Sequence, residues 1–351
     1  MKATYKKYVL DFKQPSGTSR GVLTQKESWF LIVNHNERYG IGECGILRGL
    51  SIDDVPEYEE TLKWVCDHIH LGKDALWEAL RKFPSIQFGI EQAFLSLASD
   101  HPFELFPSDF TKGKRSIEIN GLIWMGDEAF MKEQIQQKLQ EGFGCIKMKI
   151  GAIDFDKEVS LLKSIRDRFP KEEIELRVDA NGAFSKTDAL SKLKTLAELD
   201  LHSIEQPIRQ GQLSAMSDLC AQTPLNIALD EELIGIFDVE HKAKLLRHIK
   251  PQFIILKPSL VGGYKGSAEW IALASKLNIG WWVTSALESN IGLNAIAQWT
   301  FTLKNALPQG LGTGSLFTNN IESPLKVSKG TLSYDPYNTP WRTNLIEELC
   351  I

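Results

Sequence analysis

The sequence predicts an α/β protein, a (β/α)8 barrel of the TIM type preceded by an N-terminal α+β capping domain. Three observations indicate this. From residue 117 onward strand-like and helix-like segments alternate, and the strand-like segments begin about 25 to 29 residues apart, the length of one βα unit. Charged residues end several of these strand-like segments at the same position. Residues 1–116 instead show strands followed by helices, which indicates a separate layered unit.

Length and composition set the outer limits of this prediction. The chain has 351 residues, 43% of them hydrophobic and 24% charged, with a net charge of -5, and this is enough chain for a barrel and a second domain. A mildly acidic chain without a basic block gives no reason to expect nucleic acid or an anionic membrane as a partner. We therefore expect a small-molecule substrate, and the sequence carries no signal for an oligomeric state.

The expected compartment is the cytosol. Met1–Phe12 lacks the apolar stretch of a signal peptide, and the chain has no apolar run long enough to cross a bilayer. The five cysteines are scattered without paired spacing, which is typical of reduced thiols.

The predicted capping domain comprises residues 1–116. Tyr5–Phe12 alternates like a strand and is followed by a polar loop over Lys13–Arg20, and two further strands flank a turn at residues 34–36. Three helices follow, at Pro56–Leu71, Ala75–Phe83 and Ile86–Leu97. A hairpin at Leu325–Tyr334 predicts that residues 321–351 return to complete this domain.

The predicted barrel domain comprises residues 117–320. Its eight candidate strands begin near Ile117, Cys145, Ile174, Leu201, Asn226, Phe253, Trp281 and Pro308. Amphipathic helices fill the gaps, for instance at Phe155–Arg168, Thr187–Leu199 and Ser267–Leu277. An open doubly wound sheet is the alternative, but that fold more often has a glycine-rich phosphate loop after its first strand, and this chain has none there.

The second barrel strand carries two lysines on one face. Side chains of a strand alternate, so Lys147 and Lys149 point one way while Ile146, Met148 and Ile150 point the other. A half-exposed strand with a wet polar face would explain this pair as well, until the downstream strands are considered.

Charged side chains stand at the carboxyl ends of five consecutive predicted strands. They are Lys147 and Lys149, then Asp179 with Asn181, then Glu205, then Asp230 with Glu231 and Glu232, then Lys257. Active sites of such barrels lie at these strand ends. Three converging carboxylates would repel one another unless a cation lay among them, and an all-oxygen set of ligands favours Mg2+ over Zn2+.

Lys149 and Lys257 lie four strands apart in the ring, and hence on opposite sides of the barrel mouth. An ammonium group beside a second ammonium and a dication loses its proton more readily, so Lys149 is the candidate base. A lysine base, an opposing lysine and a metal form a site for removing a proton α to a carboxylate.

Five short motifs occur in order along the predicted barrel: KxK at 147–149, DAN at 179–181, EQP at 205–207, DE at 230–231 and KP at 257–258. Together with IGEC at Ile41–Cys44, they resemble the enolase superfamily, in its muconate-lactonising subgroup, over nearly the whole chain. The resemblance implies that Asp179, Glu205 and Asp230 bind Mg2+, with Mn2+ able to replace it. It also implies that Lys149 is the base, that Lys257 faces an enediolate as a cation, and that Lys147 tunes Lys149 or touches the substrate carboxylate.

Two further stretches resemble the dehydratases of that subgroup, TSALESNIGLNAIA at Thr284–Ala297 and LGTGSLF at Leu311–Phe317. The resemblance implies loss of water from a hydroxylated succinyl-cyclohexadiene carboxylate, in menaquinone biosynthesis. The residues expected to contact substrate are Ser285, Glu288, Asn181 and, as a lid contact from its loop, Arg20.

Several alternatives stay open. Dipeptide epimerases of the subgroup carry an acidic DxD pattern on the eighth strand, where this chain has Gly312-Thr313-Gly314. N-acylamino acid racemisation needs no such acid, because an acylated nitrogen needs no counter-charge, and other cycloisomerase or epimerase reactions of the subgroup also stay open. Glu231 replaces Asp230 as the third ligand if the strand register shifts by one residue. A barrel that binds a metal and a small acid without catalysis is a third possibility, although it would have little use for two flanking lysines.

Overall fold

The computed structural model describes residues 1–18, 21–342 and 344–350. Its strands are β1 (Lys2–Thr18), β2 (Gly21–His35), β3 (Arg38–Gly45), β4 (Ile117–Glu118), β5 (Gly121–Ile123), β6 (Cys145–Lys149), β7 (Glu175–Asp179), β8 (Ser203–Glu205), β9 (Ile227–Leu229), β10 (Phe253–Leu256), β11 (Gly280–Val283), β12 (Leu325–Ser328) and β13 (Thr331–Tyr334).

The α-helices are α1 (Tyr58–Asp67), α2 (Lys73–Ala79), α3 (Pro84–Ala98), α4 (Glu128–Gln140), α5 (Phe155–Arg166), α6 (Ala189–Ala197), α7 (Leu213–Gln222), α8 (Val239–Ile249), α9 (Pro258–Val261), α10 (Gly263–Lys276), α11 (Asn290–Thr302) and α12 (Leu345–Cys350). Short 3-10 helices lie at Ile69–Leu71, Glu231–Leu233 and Gly314–Leu316. In the described part of the chain, every helix is too short or too polar to cross a bilayer.

The N-terminal domain is a three-stranded antiparallel sheet in the order β1-β2-β3, with α1 and α3 packed against it and α2 packed against α3. The turn between β2 and β3 lies at Asn36 and Glu37, which both have positive φ angles; it overlaps the predicted turn at Asn36 and ends one residue later. The described part of the polar stretch predicted as a loop, residues 13–18, is instead the irregular end of β1, whose pairing with β2 shifts register between Asp11 and Ser16. Arg20, the predicted lid residue, lies outside the described residues.

The barrel is a parallel sheet in which the strands from β5 to β11 pair in chain order. It closes through two isolated parallel bridges, one between Gln309 and Ile119 and the other between Gly310 and Thr284. This architecture confirms the predicted barrel. The eighth strand position is filled by the short segment that contains Gln309 and Gly310. A Cβ atom on Gly310 would lie 2.4 Å from Thr284 Oγ1, so glycine permits the close approach that closes the ring.

The C-terminal residues contact both domains. The β12–β13 hairpin, which the sequence assigned to the capping domain, pairs instead with β4 at the start of the barrel domain, with Leu332 opposite Ile117. The final helix α12 does pack on the N-terminal sheet, where Leu345 and Ile346 join a buried cluster with Phe30.

A buried carboxylate joins the two domains. Glu91 of α3 accepts hydrogen bonds from the backbone N–H groups of Tyr264 (2.5 Å) and Lys265 (3.1 Å) in the first turn of α10. Gly263 makes room for it, because a Cβ atom there would lie 2.1 Å from Glu91 Oε2. Burial raises the pKa of Glu91 to about 7, and the two N–H groups only partly offset this effect.

Glu91→Gln is expected to flatten the dependence of stability on pH. A carboxyl group whose pKa is higher in the folded than in the unfolded chain contributes stability at acid pH, and that contribution is lost as the pH rises from about 4.5 through about 7. For Glu91 the loss is on the order of 3 kcal/mol. Urea unfolding of both proteins between these pH values measures this effect. The free energy of unfolding of the glutamine variant should increase relative to that of wild type as the pH rises.

The control for this measurement is Glu78→Gln. Glu78 is an exposed carboxylate on α2 whose pKa is lowered by its hydrogen bonds to Lys265 and Arg81, so its effect has the opposite sign. Parallel pH profiles for wild type and Glu91→Gln would contradict the role given to burial of Glu91.

Candidate active site

The barrel register places the charged residues at one end and on one face. Lys149 of β6 is opposite Asp179 of β7, and Asp179 is opposite Glu205 of β8. Glu205 in turn is opposite Ala228, so Asp230, two residues further along, projects to the same face. The outward-facing residues of β6, such as Ile146 and Met148, belong to the apolar core between the strands and the helices.

Lys147 and Lys149 form ion pairs with two of these carboxylates. Lys147 Nζ lies 2.6 Å from Glu205 Oε2 and 3.3 Å from Asp179 Oδ2. Lys149 Nζ lies 2.9 Å from Asp179 Oδ2. All four side chains are at least 90% buried, so these pairs are shielded from water and salt.

Lys257 lies at the other end of the row of acids. Its Nζ contacts Asp230 Oδ2 directly and lies 3.8 Å from Glu205 Oε1. The structure therefore brings together three carboxylates and three lysines, with Lys149 beside the first acid of the row and Lys257 beside the last.

The mutual fields of these groups move their pKa values in opposite directions. Burial opposes ionisation of Asp179, but the ammonium groups of Lys149, Lys147 and Lys257 outweigh it and lower the pKa of that carboxyl. Burial and the neighbouring Asp179 raise the pKa of Glu205 to about 7, although Lys147 opposes the shift. Glu205 is thus costly to hold as an anion without further positive charge.

Two of the lysines are stabilised as cations. Burial alone would lower the pKa of Lys257, but the charges of Asp230 and Glu205 raise it above the usual value for lysine. Burial likewise acts against protonation of Lys147, and Glu205 and Asp179 outweigh it, so its pKa is also raised. Both groups carry a positive charge at neutral pH.

Asn181 and Glu231 extend the polar network beyond the strand ends. Lys149 Nζ donates a 2.7 Å hydrogen bond to Asn181 Oδ1, and Asn181 Nδ2 donates a 3.0 Å hydrogen bond to Glu231 Oε1. Asp230 contacts Lys257, whereas Glu231 bonds to Asn181, so the two members of the DE pair face different partners.

A cavity of about 840 Å³ opens above these strand ends. Lys147, Lys149, Asp179 and Lys257 all border it, so four members of the charged row face the same space. Residues of the capping domain, among them Leu47, form part of its wall. The volume is in the range of small-molecule sites.

The other predicted substrate contacts fall in different places. Ser285 and Asn181 border the cavity, and the Ser285 hydroxyl is 2.6 Å from that of Thr313. Glu288 does not border the cavity described above: its carboxylate accepts hydrogen bonds from the Ser259 hydroxyl (2.6 Å) and the Ala286 N–H (2.7 Å). It holds the loop after β11 against the start of α9.

Two contributions to the site were not predicted. The indole ring of Trp124, which follows β5, borders the cavity with its centroid 5.9 Å from Lys149 Nζ, and Gln134 of α4 hydrogen-bonds both backbone groups of Trp124. The sequence did offer a signal for Trp124, because this residue lies at the end of the first predicted barrel strand, where active-site residues are expected. The second unpredicted contribution is a contact between the two domains, which no local sequence pattern predicts.

That contact is made by Glu43 of β3, which binds the start of α11. Its Oε1 accepts hydrogen bonds from the Ser28 hydroxyl (2.7 Å) and the Ser289 N–H (2.9 Å), and its Oε2 accepts from the Gly292 N–H (2.9 Å). A carboxylate at a helix N-terminus is favourable because the unpaired N–H groups there carry partial positive charge. The capping domain therefore fixes the loop that carries Ser285.

The donor set suits a hard divalent cation, although its carboxylates face lysines in this structure. Among the described residues, no three acidic, histidine or cysteine side chains converge closely enough to hold a metal ion in their present positions. Glu205 Oε1 is nevertheless buried and accepts no hydrogen bond from any described residue. A buried oxygen without a hydrogen bond, in a ligand set made only of carboxylates, fits the preference of Mg2+ for oxygen ligands.

A family model described as "Enolase C-terminal domain-like" matches residues 130–336. The chain belongs to this family, as its barrel and its charged strand ends indicate. More narrowly, it is 47% identical to an o-succinylbenzoate synthase of Desulfotalea psychrophila, over 95% of this chain and 98% of that protein. The predicted superfamily and the resemblance within it are confirmed.

Two further comparisons are informative. The crystal structure of MenC from Desulfotalea psychrophila superposes with a TM-score of 0.84 at 44% identity, over 95% of this chain and 99% of that one. An N-succinylamino acid racemase of Thermus thermophilus is 30% identical, over 78% of this chain and 75% of the racemase.

Proposed function

We propose that this chain catalyses the o-succinylbenzoate synthase reaction, the loss of water from a hydroxylated succinyl-cyclohexadiene carboxylate, as a step of menaquinone biosynthesis. The observation that carries the proposal is the pair Lys149 and Lys257, which border one cavity at opposite ends of a row of buried acids. The predicted class of enzyme, a hydro-lyase, is confirmed by the relative with 47% identity. Because the described cysteines are free thiols, the cytoplasm is the proposed location.

In the proposed mechanism Lys149, as the neutral amine, takes the proton from the carbon α to the substrate carboxylate. The electron pair of that C–H bond moves into the carboxylate to form an enediolate. Lys257 faces the same cavity as a stable cation, and its charge opposes the negative charge that develops. When the adjacent C–O bond breaks, the ammonium of Lys149 returns the proton to the departing hydroxide. Water leaves, the ring becomes aromatic and Lys149 is neutral again.

Asp179, Glu205 and Asp230 are the proposed ligands of Mg2+ or Mn2+. When bound, the cation supplies positive charge for the carboxylate oxygens of the substrate as they become an enediolate. Lys147 lies between Asp179 and Glu205 as a cation and holds both carboxylates in place. We favour Asp230 over Glu231 as the third ligand, because Asp230 shares Lys257 with Glu205 while Glu231 is turned toward Asn181.

Racemisation of N-succinylamino acids is the second candidate, favoured by the Thermus thermophilus relative. Racemisation requires the same two lysines on opposite sides of the α-carbon, whose proton is removed and replaced. The eighth strand position carries Gly312-Thr313-Gly314, so it offers no counter-charge to a free amino group, and an acylated nitrogen needs none.

Turnover of the two substrates is expected to separate the candidates. With Mg2+ present, formation of the aromatic product, followed by its ultraviolet absorbance, should exceed racemisation of N-succinyl amino acids, followed by polarimetry, in kcat/KM. Racemisation faster by orders of magnitude would overturn the proposal, and comparable values would indicate a dual activity. Neither reaction occurring, with no exchange of α-protons in deuterated water, would favour a barrel that only binds small acids.

A further inference from the structure

We infer that Asn181 is a positioning residue that orients Lys149, and that Glu231 in turn holds Asn181. The sequence had suggested a substrate contact for Asn181. The inference rests on the proposed function, since it assigns a role within that reaction.

The orientation of the Asn181 amide follows from its two neighbours. The ammonium of Lys149 can only donate, so the amide atom 2.7 Å away must be the oxygen. The opposite amide atom then is the nitrogen, which donates to the Glu231 carboxylate at 3.0 Å. A flipped amide would place its NH2 group against the Lys149 ammonium and its oxygen against the Glu231 carboxylate. Only one orientation of the amide therefore satisfies both neighbours.

The backbone of Asn181 is shaped for this contact. Its φ angle is 43°, in the left-handed region that asparagine tolerates better than most residues. Its N–H donates to Asp179 Oδ1 at 3.0 Å, so the same carboxylate that pairs with Lys149 also holds the Asn181 backbone. The amide is therefore fixed at its base as well as at its tip.

The consequence for Lys149 is directional. Asp179 Oδ2 and Asn181 Oδ1 accept hydrogen bonds from Lys149 Nζ at 2.9 and 2.7 Å. These bonds occupy two of the three tetrahedral directions at Nζ that do not lead to the lysine's own side chain. The third direction is left for the cavity that Lys149 borders, where the substrate carbon must come. As the neutral amine, Lys149 can keep its two N–H bonds on these oxygens. Its lone pair then points along the remaining direction, and general base catalysis depends on such alignment.

Asn181→Gly tests this with little change in backbone preference, because glycine also accepts a positive φ. We expect kcat to fall by about 10- to 100-fold, as is common when a supporting hydrogen bond to a catalytic group is lost, while KM changes by less than about threefold. The isotope effect on kcat with substrate deuterated at the α-carbon should rise, because proton abstraction becomes the slower step.

Asn278→Gly is the matched control. Asn278 also has a positive φ angle, 55°, but it lies in the loop between α10 and β11, where its N–H bonds to Ser275 O. Wild-type kcat, KM and isotope effect are expected for this variant. Thermal unfolding of both variants shows whether a loss of activity reflects a loss of fold.

A swapped pair provides the rescue. Asn181→Asp keeps an acceptor for Lys149 but places two carboxylates against each other. Adding Glu231→Gln to this variant restores a hydrogen bond between residues 181 and 231, with the amide of residue 231 as the donor. We expect the double variant to recover at least about tenfold in kcat over Asn181→Asp.

The outcomes distinguish this inference from the proposed function. The kinetics are measured with whichever of the two substrates wild type converts, and conversion of neither overturns both proposals. An active wild type with an Asn181→Gly variant of unchanged kcat overturns only the role of Asn181. A variant with raised KM and an unchanged isotope effect would identify Asn181 as a substrate contact instead.

Discussion

Lys149→Ala is expected to lower kcat for dehydration by at least about 10³-fold, since a positioned general base contributes roughly 10² to 10⁴ and Lys149 serves in both proton transfers. Alanine removes the amine that lies 2.9 Å from Asp179 and borders the cavity. Product formation is the measurement for dehydration, and exchange of the α-proton in deuterated water reports the first transfer alone. Both should be lost together, because one amine performs both steps.

The matched control for this variant is Lys157→Ala. Lys157 is an exposed lysine of α5, the helix that follows the same strand, and it lies 3.9 Å from the carboxylate of Glu128. Its removal should leave kcat within about twofold of wild type. An Lys149→Ala protein that still exchanges the α-proton at the wild-type rate would assign the base to another residue.

Glu205→Gln is expected to weaken Mg2+ binding by at least about 100-fold and to lower kcat/KM correspondingly at fixed metal concentration, because the loss of a ligand costs no less than the loss of its supporting bonds. Glu205 stands in the middle of the acid row, and one of its oxygens is buried without a hydrogen bond from the described residues. Isothermal titration with Mg2+ alone measures this loss without any substrate.

The same titration has a predicted pH dependence. Burial and Asp179 raise the pKa of Glu205 to about 7, so protons compete with the cation below that pH. Affinity of wild type for Mg2+ should therefore rise as the pH increases through 7, and Glu205→Gln should lose that part of the rise.

Glu175→Gln is the control for position. Glu175 begins β7 at the opposite end of the barrel, where it accepts a 2.6 Å hydrogen bond from Arg177 Nε. Glutamine keeps an acceptor there, so Mg2+ binding should match wild type. Equal losses of affinity in both glutamine variants would show a general effect of charge rather than a ligand at Glu205.

The sequence determined the barrel and the row of charged residues by itself. Strand and helix periods are local properties, and a repeating βα unit can close in few ways, so the phase of Asp179, Glu205 and Lys257 after their apolar residues was sufficient to place them at one end. The alternation that put Lys147 and Lys149 on one face followed from the two-residue period of a strand.

The tertiary structure alone decided what those side chains touch. Glu43 and Ser289 are 246 residues apart, and Glu91 and Tyr264 are 173 apart, so no local pattern could pair them. Glu288 turns to Ser259 and Asn181 to Lys149 because buried polar atoms take the nearest partner that packing supplies. Local periodicity specifies which face a residue occupies, whereas its hydrogen-bond partners depend on how distant segments pack together.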